Sequence, residues 1–477
     1  MLFNSLSYII FFPAVVILYF ILPHRFRWLF LLAASYYFYL CFKIEYVFLI
    51  IISTLTSYYA AILIDKTDNG GKKKFYLVLN LVLNLGILFF FKYYNFTVLS
   101  VNTLLDNFKT DFHFPLLDLV LPFGISFYTF QVIGYTLDVY WGKYKPERHL
   151  GIYALFVAFF TKLVAGPIER GNRLIPQFYR EHHFDYIRAK NGLLLIMWGF
   201  FQKIVIADNL KPMVDEVFNN IDKYQGFPLI IGMFAFAFQM FCDFSGYTDI
   251  AIGSAQVMGF DLMKNFDRPF SSKNISEFWR RWHISLSSWA SDYLYKPIVF
   301  NRRSWREWAV VYAVAVTFLF LGIWHGAKGA FILFGFLMGG AFYIELLTTD
   351  FRQKLAMKIP RIIYNNLSVM LTFLFFAFSS VFFRANSTSD GFRYYSKMFR
   401  DIHFQWYNLG LNKFQVISTL VFIFLLEYVH HLQSKQSMRE YVANQPRIVR
   451  WMIYVILVAI IFNFGEFNEK RFIYLDF

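Results

Sequence analysis

Polar residues in this chain fall into short clusters separated by long charge-free apolar runs. The runs are Leu6 to Pro23, Tyr46 to Ile64, Phe75 to Phe91, Leu119 to Leu137, Gly226 to Cys242, Trp308 to Trp324, Gly329 to Ile344 and Ile362 to Phe383. Each is near the roughly 17 to 25 residues that a helix needs to cross the hydrocarbon core of a bilayer. Shorter runs at Trp28 to Phe42 and Trp451 to Gly465 can cross with the help of flanking aromatic anchors. Leu150 to Thr161 and Asn191 to Gln202 have the length of re-entrant or interfacial segments. The pattern predicts an all-α polytopic membrane protein of about 11 to 13 transmembrane helices, with re-entrant and amphipathic cytoplasmic helices between them.

Composition supports that reading: of 477 residues, 58% are hydrophobic and 22% aromatic, more apolar surface than one soluble core can bury. The excess of 46 Lys and Arg over 31 Asp and Glu would ordinarily suggest a nucleic-acid partner, but the basic residues sit in loops between apolar runs. That is the positive-inside pattern, so no nucleic acid is expected. The basic clusters at residues 65–74, 143–148, 170–190, 264–306, 352–361 and 435–450 share the cytoplasm if the N-terminus is extracytoplasmic and Leu150 to Thr161 dips in and returns.

The first run lacks a basic flank and a small-residue cleavage site, so it reads as a retained span of a multi-pass cell-membrane protein. Cys41 and Cys242 are the only cysteines, which leaves neither a disulfide framework nor a CxxC metal site. Without an internal repeat, a low-complexity segment or a soluble linker, residues 1–477 read as a single integral-membrane domain.

The chemistry-bearing residues concentrate between Phe241 and Pro297. Asn274 followed by Glu277 has the form of a capping box, and Ile275, Phe278, Trp279, Trp282, Leu286, Trp289 and Tyr293 then recur at helical spacing. Ser276, Arg280, His283, Ser287 and Ser291 fall on the opposite stripe. One reading is an interfacial helix whose Trp and Arg residues anchor at headgroups; the other is a basic and histidine surface for an anionic ligand. Asp243, Ser245, Tyr247 and Asp249 follow an apolar run, and carboxylates at that depth need partners, for which Arg280 and Arg281 are candidates.

His325 stands in Gly322-Ile323-Trp324-His325-Gly326-Ala327 between two apolar runs with almost no loop, which predicts a tight hairpin. An intramembrane ionisable group is costly and is read first as functional. A neutral imidazole there can act as a base on a hydroxyl, or it can simply bond a neighbouring carbonyl. The pairs His182-His183 and His430-His431 are adjacent rather than at ligand spacing, and nothing matches HExxH, so no metal is expected. The sequence also holds no GxxxxGK[ST] loop.

Assembled, these residues resemble the membrane-bound O-acyltransferase family, in particular its bacterial alginate O-acetyltransferase branch. The resemblance rests on the segments Ala165-Gly166-Pro167-Ile168-Glu169-Arg170, Asp243 to Ala251, Glu277 to Ser287, Asp292-Tyr293-Leu294-Tyr295 and Gly322 to Gly326, with Leu2-Phe3-Asn4-Ser5 at the start and Phe472 to Phe477 at the end. It implies a many-helix fold around a funnel or tunnel, and transfer of an acyl group, acetyl in this branch, from a cytoplasmic thioester to a hydroxyl.

The donor implied is acetyl-CoA or an acyl-phosphopantetheine carrier, with no permanently bound cofactor. The acceptor implied is a cell-surface polysaccharide, reached through an extracytoplasmic partner protein. His325 corresponds to the family's catalytic histidine and His283 to the second histidine near the tunnel. Arg280, Arg281, Trp279, Trp282, Asp243, Ser245, Tyr247, Asn265 and Trp324 are the expected substrate contacts. D-alanyl transfer to a teichoic-acid-type acceptor is an alternative within the family. A transporter of a lipid-linked sugar or anion is an alternative outside it, disfavoured by the missing inverted repeat.

Overall fold

The computed structural model describes residues 1–110, 112–402, 409–467 and 472, and every regular element among them is helical. Nine of these helices are long and apolar enough to cross a membrane, and Leu6–Ile21 adds a shorter apolar one. The expected number was about 11 to 13. Part of the difference lies at Leu119 to Leu137, where Pro122 and a left-handed Gly124 (φ 72°) delay the helix to Ile125–Tyr140. A Cβ on Gly124 would fall 2.2 Å from the Leu163 carbonyl oxygen, so only glycine fits that start.

The chain divides into two compact units. One comprises Met1–Gly192 with Ser254–Met263, and the other comprises Leu193–Gly253 with the chain from Lys264 onward.

In the first unit, helices Glu45–Lys66, Gly70–Lys92 and Ile125–Tyr140 pack around a small polar ladder. Ser53 donates to Asn84, Asn84 donates to the Asn80 amide oxygen (2.8 Å), and Asn80 donates to Thr136 (3.1 Å). Side chains that satisfy one another in this way join apolar helices where water cannot. The run beginning at Leu150 forms only the nine-residue helix Leu150–Ala158, which breaks at Phe159 and resumes as Phe160–Leu163. Nine residues are about half of what crossing requires. Residues 152–169 are all buried, the condition under which a re-entrant backbone is tolerated. Within this stretch Lys162 donates to Gln131 (2.5 Å) and Glu169 accepts from the Met263 amide.

In the second unit, Glu307–His325 and Gly329–Leu347 form the expected hairpin. Their backbones touch: a Cβ on Gly322 would lie 2.6 Å from the Phe331 carbonyl oxygen, and one on Gly335 would lie 2.4 Å from that of Phe318. Small residues at such crossings let dispersion contacts accumulate along the whole seam.

The run Asn191 to Gln202, expected to be too short to cross, continues through a π-helical turn at Phe201–Ala207 into the helix Asp208–Asn219. Charges interrupt the apolar pattern there, and the fold neutralises them. Lys203 Nζ lies 2.6 Å from Asp243 and 2.9 Å from Asp208, all three buried. Of the closing motif, Phe472 stacks on Tyr247 at 4.9 Å, and residues 473–477 lie outside the described residues.

Candidate functional site

His325 is the last residue of its helix and only 5% exposed. Aromatic rings surround it: Trp324 and Phe383 have centroids 4.8 Å from the imidazole, Phe334 6.3 Å and Phe331 6.5 Å. The hairpin supplies Trp324, Phe331 and Phe334, and the helix Arg361–Arg384 supplies Phe383. Such a box lowers the local dielectric and limits the imidazole's contact with water.

Around His283 the structure departs from the sequence pattern. Asn274 does cap a helix, accepting from the Glu277 amide at 2.7 Å, but the Glu277 carboxylate accepts from Lys273 N (2.9 Å) rather than closing a capping box. The helix Ile275–Arg281 ends after seven residues, Trp282 is extended, His283 is left-handed (φ 43°, ψ 54°), and a second helix runs over Ile284–Ala290. The single stripe of Ser276, Arg280, His283, Ser287 and Ser291 is therefore not formed. Arg280 is exposed while His283 is 1% exposed. A non-glycine residue held left-handed costs about 1–3 kcal/mol and persists only where its surroundings over-determine it.

Asn265 supplies that determination. Its carbonyl accepts from Ile284 N (2.8 Å), and its side-chain oxygen lies 2.9 Å from His283 Nδ1, 3.3 Å from Ser285 N and 2.9 Å from Ser285 Oγ. An amide oxygen can only accept, so Nδ1 carries the proton and Nε2 the lone pair. Burial pushes this imidazole down to about 3, which keeps it neutral at physiological pH. Phe244 meets the ring edge-on at 4.6 Å. The Trp324 indole, 4.8 Å from His325, is 5.7 Å from His283 on centroids. Two histidines separated by 42 positions in sequence thus meet one indole.

The partners expected for the carboxylates need correcting. Asp243 pairs with Lys203 rather than with Arg280 or Arg281, and Asp249 accepts from Gln202 at 2.8 Å. Arg281 is held by Glu277 (2.7 Å) and the Asp267 carbonyl (3.4 Å). The reason is proximity between helices: a Cβ on Gly199 would stand 2.5 Å from the Gly246 carbonyl oxygen, which brings the π-helical turn with Gln202 and Lys203 directly against Asp243 to Asp249. Sequence reasoning passed over Lys203. The available signal was an isolated cation beside an apolar run in a chain with few buried acids.

Of the other expected contacts, Trp282 packs with Phe241, Phe266, Phe278 and Phe376, and Ser245 and Tyr247 are buried on the helix Phe227–Met258. The Trp279 indole nitrogen is buried with no acceptor among the described residues, a donor available to a ligand. Two open clefts of this unit, lined by Trp305 to Ala315 and by Arg447 to Ile456, do not include either histidine. Among the described residues no three His, Cys, Asp or Glu side chains gather as a metal site.

Comparison with known proteins places this geometry in context. Residues 149–388, which include both histidines, match the MBOAT, membrane-bound O-acyltransferase family. Over 436 residues the chain is 37% identical to the probable alginate O-acetylase AlgI of Azotobacter vinelandii, covering 90% of this chain and 84% of that one. It is 33% identical to the peptidoglycan O-acetyltransferase of Helicobacter pylori over 426 residues, covering 82% and 79%. The teichoic acid D-alanyltransferase of Bacillus subtilis is 28% identical over 285 residues, 57% of this chain and 70% of that protein.

Proposed function

This chain belongs to the membrane-bound O-acyltransferase family, and from that premise we propose that it transfers an acetyl group from a cytoplasmic thioester to a hydroxyl of a cell-surface polysaccharide or of an extracytoplasmic partner protein. The observation that carries the reading is the shared indole, with the buried imidazoles of His283 and His325 both against Trp324.

In the proposed reaction the acceptor oxygen attacks the thioester carbonyl and a C–O bond forms as the C–S bond breaks. The hydroxyl proton passes to His325 and from there to the departing thiolate. A base held in an aromatic box is suited to this, because proton transfer during attack avoids a free alkoxide in a medium that solvates it poorly. His283, held by Asn265 and kept neutral by burial, forms a polar wall beside Trp324 for the donor's thioester arm. Arg280 is exposed and suits the donor's phosphates, whereas Arg281 is already engaged by Glu277. Trp279 offers its indole N–H. The acceptor class follows the alginate and peptidoglycan O-acetyltransferases, whose similarity extends over more of the chain than that of the D-alanyltransferase.

Purified full-length protein incubated with radiolabelled acetyl coenzyme A and a polysaccharide or partner acceptor tests the reading. Label should move to the acceptor with wild type and stay on the donor with His325→Ala. Undiminished transfer by that variant would remove His325 from the mechanism, and transfer of D-alanine in place of acetyl would move the chain to the other branch.

A further inference from the structure

We propose that an anionic glycerophospholipid binds the open trough at the start of the Glu307–His325 helix, its phosphodiester on Arg302 and Arg303 and an acyl chain along Trp305, Trp308 and Tyr312. The trough is shallow and open outward, and its lining is almost wholly apolar. Of its lining residues, Trp308, Val311, Tyr312 and Ala315 fall on one stripe of the helix, and Trp305 joins them from the turn before it. Trp308 is 71% exposed and Trp305 45%, so both present ring surface outward among the described residues.

Charge sits at one end only. The Arg302 guanidinium stacks over Trp305 at 4.2 Å and over Tyr312 at 5.1 Å, and that of Arg303 lies 5.6 Å from the Phe300 ring. Arg306, left-handed at φ 50°, turns the chain into the helix, and Glu307 is the single acid in the segment 302–307. Beyond it comes the charge-free run Trp308 to Trp324. A cationic end, an aromatic border and an apolar stem describe the complement of an amphiphile with one negative head, placed where headgroups meet acyl chains. Guanidiniums already stacked on rings lose little freedom on taking up a phosphodiester in their fork. A soluble phosphate would use the arginines but leave the trough empty. A zwitterionic lipid would fill the trough and offer the same phosphodiester, but its trimethylammonium would offset the phosphate charge beside the arginines.

Native mass spectrometry of the full chain in detergent, with phosphatidylglycerol or phosphatidylcholine added, tests this. Phosphatidylglycerol should be retained by wild type about tenfold better than phosphatidylcholine, and Arg302→Gln with Arg303→Gln should abolish that preference. Ala315→Trp fills the stem without touching the arginines and should also lose the lipid, so it decides the matter if the arginine variant does not fold. Equal retention of the two lipids, or an unchanged preference in a folded variant, overturns the proposal. Displacement of phosphatidylglycerol by inorganic phosphate alone overturns it as well, because that outcome marks a free-anion site.

Discussion

The two histidines of the second unit are held by opposite means. His283 is fixed through hydrogen bonds: its Nδ1 lies against Asn265, the same amide oxygen gathers Ser285, and the backbone is left-handed at that point. His325 is boxed by the rings of Trp324, Phe383, Phe334 and Phe331 at a helix end where Gly326 leaves room for the Phe331 ring. A hydrogen bond selects a tautomer and holds it, which suits a group that must present one lone pair. A ring box keeps bulk water from the imidazole, which suits a group that must accept a proton and then return it. The contrast supports different proposed roles for two residues of the same type.

Substitutions break the comparison at different strengths. His325→Ala should lower acyl transfer by about 10²- to 10⁴-fold, the usual contribution of a general base, with membrane protein levels unchanged on a blot. Lys203→Met should act on His283's side alone, since Asp243 precedes the Phe244 that packs on that ring. It removes the buried cation that Asp208 and Asp243 share and should destabilise the protein by about 3–5 kcal/mol, read as a lower unfolding temperature in detergent. Asn265→Ala strands the donors gathered on one oxygen and should cost about 1–3 kcal/mol, together with a fall in kcat that the compensating variant Asn265→Gln does not fully reverse.

Acid acts on the His283 side next. The folded His283 titrates near 3 and an unfolded histidine near 6.5, so between those values the unfolded chain binds a proton that the folded one refuses. Its contribution is complete above about pH 6.5 and is lost as pH falls, by about 2 kcal/mol at pH 5. His283→Gln should flatten that slope in thermal melts at pH 7 and 5, and an unchanged slope would show that other groups carry it. Smallest of all, Phe383→Leu keeps an apolar wall beside His325 and should cost under about 1.5 kcal/mol of stability while altering transfer rate more than donor affinity, measured as kcat against KM.

The all-helical membrane architecture was legible because lipid imposes a one-dimensional rule: an apolar run of sufficient length must be a helix. The same rule exposed His325, since a lone imidazole between two such runs stands out without any knowledge of its neighbours. The hairpin followed from the missing loop, and the short, protein-wrapped segment after Leu150 followed from the parity of basic loops. Helical periodicity failed at His283, because it assumes that a helix continues. The break at Trp282 and His283 is secured by Asn265, 18 positions earlier, a contact that no local pattern contains.

Ion pairing failed in the same way. Arg280 and Arg281 were natural partners for Asp243 by composition, yet Lys203 reaches it because two glycines allow two helices to touch. Sequence alone determined that the chain is a multi-span helical membrane protein and which polar residues are expensive enough to demand a reason, since both depend on transfer free energies that each residue carries with it. Only the tertiary structure decided who partners whom, which helix breaks and which ring stands between the two imidazoles, because those depend on distances between segments far apart in the chain.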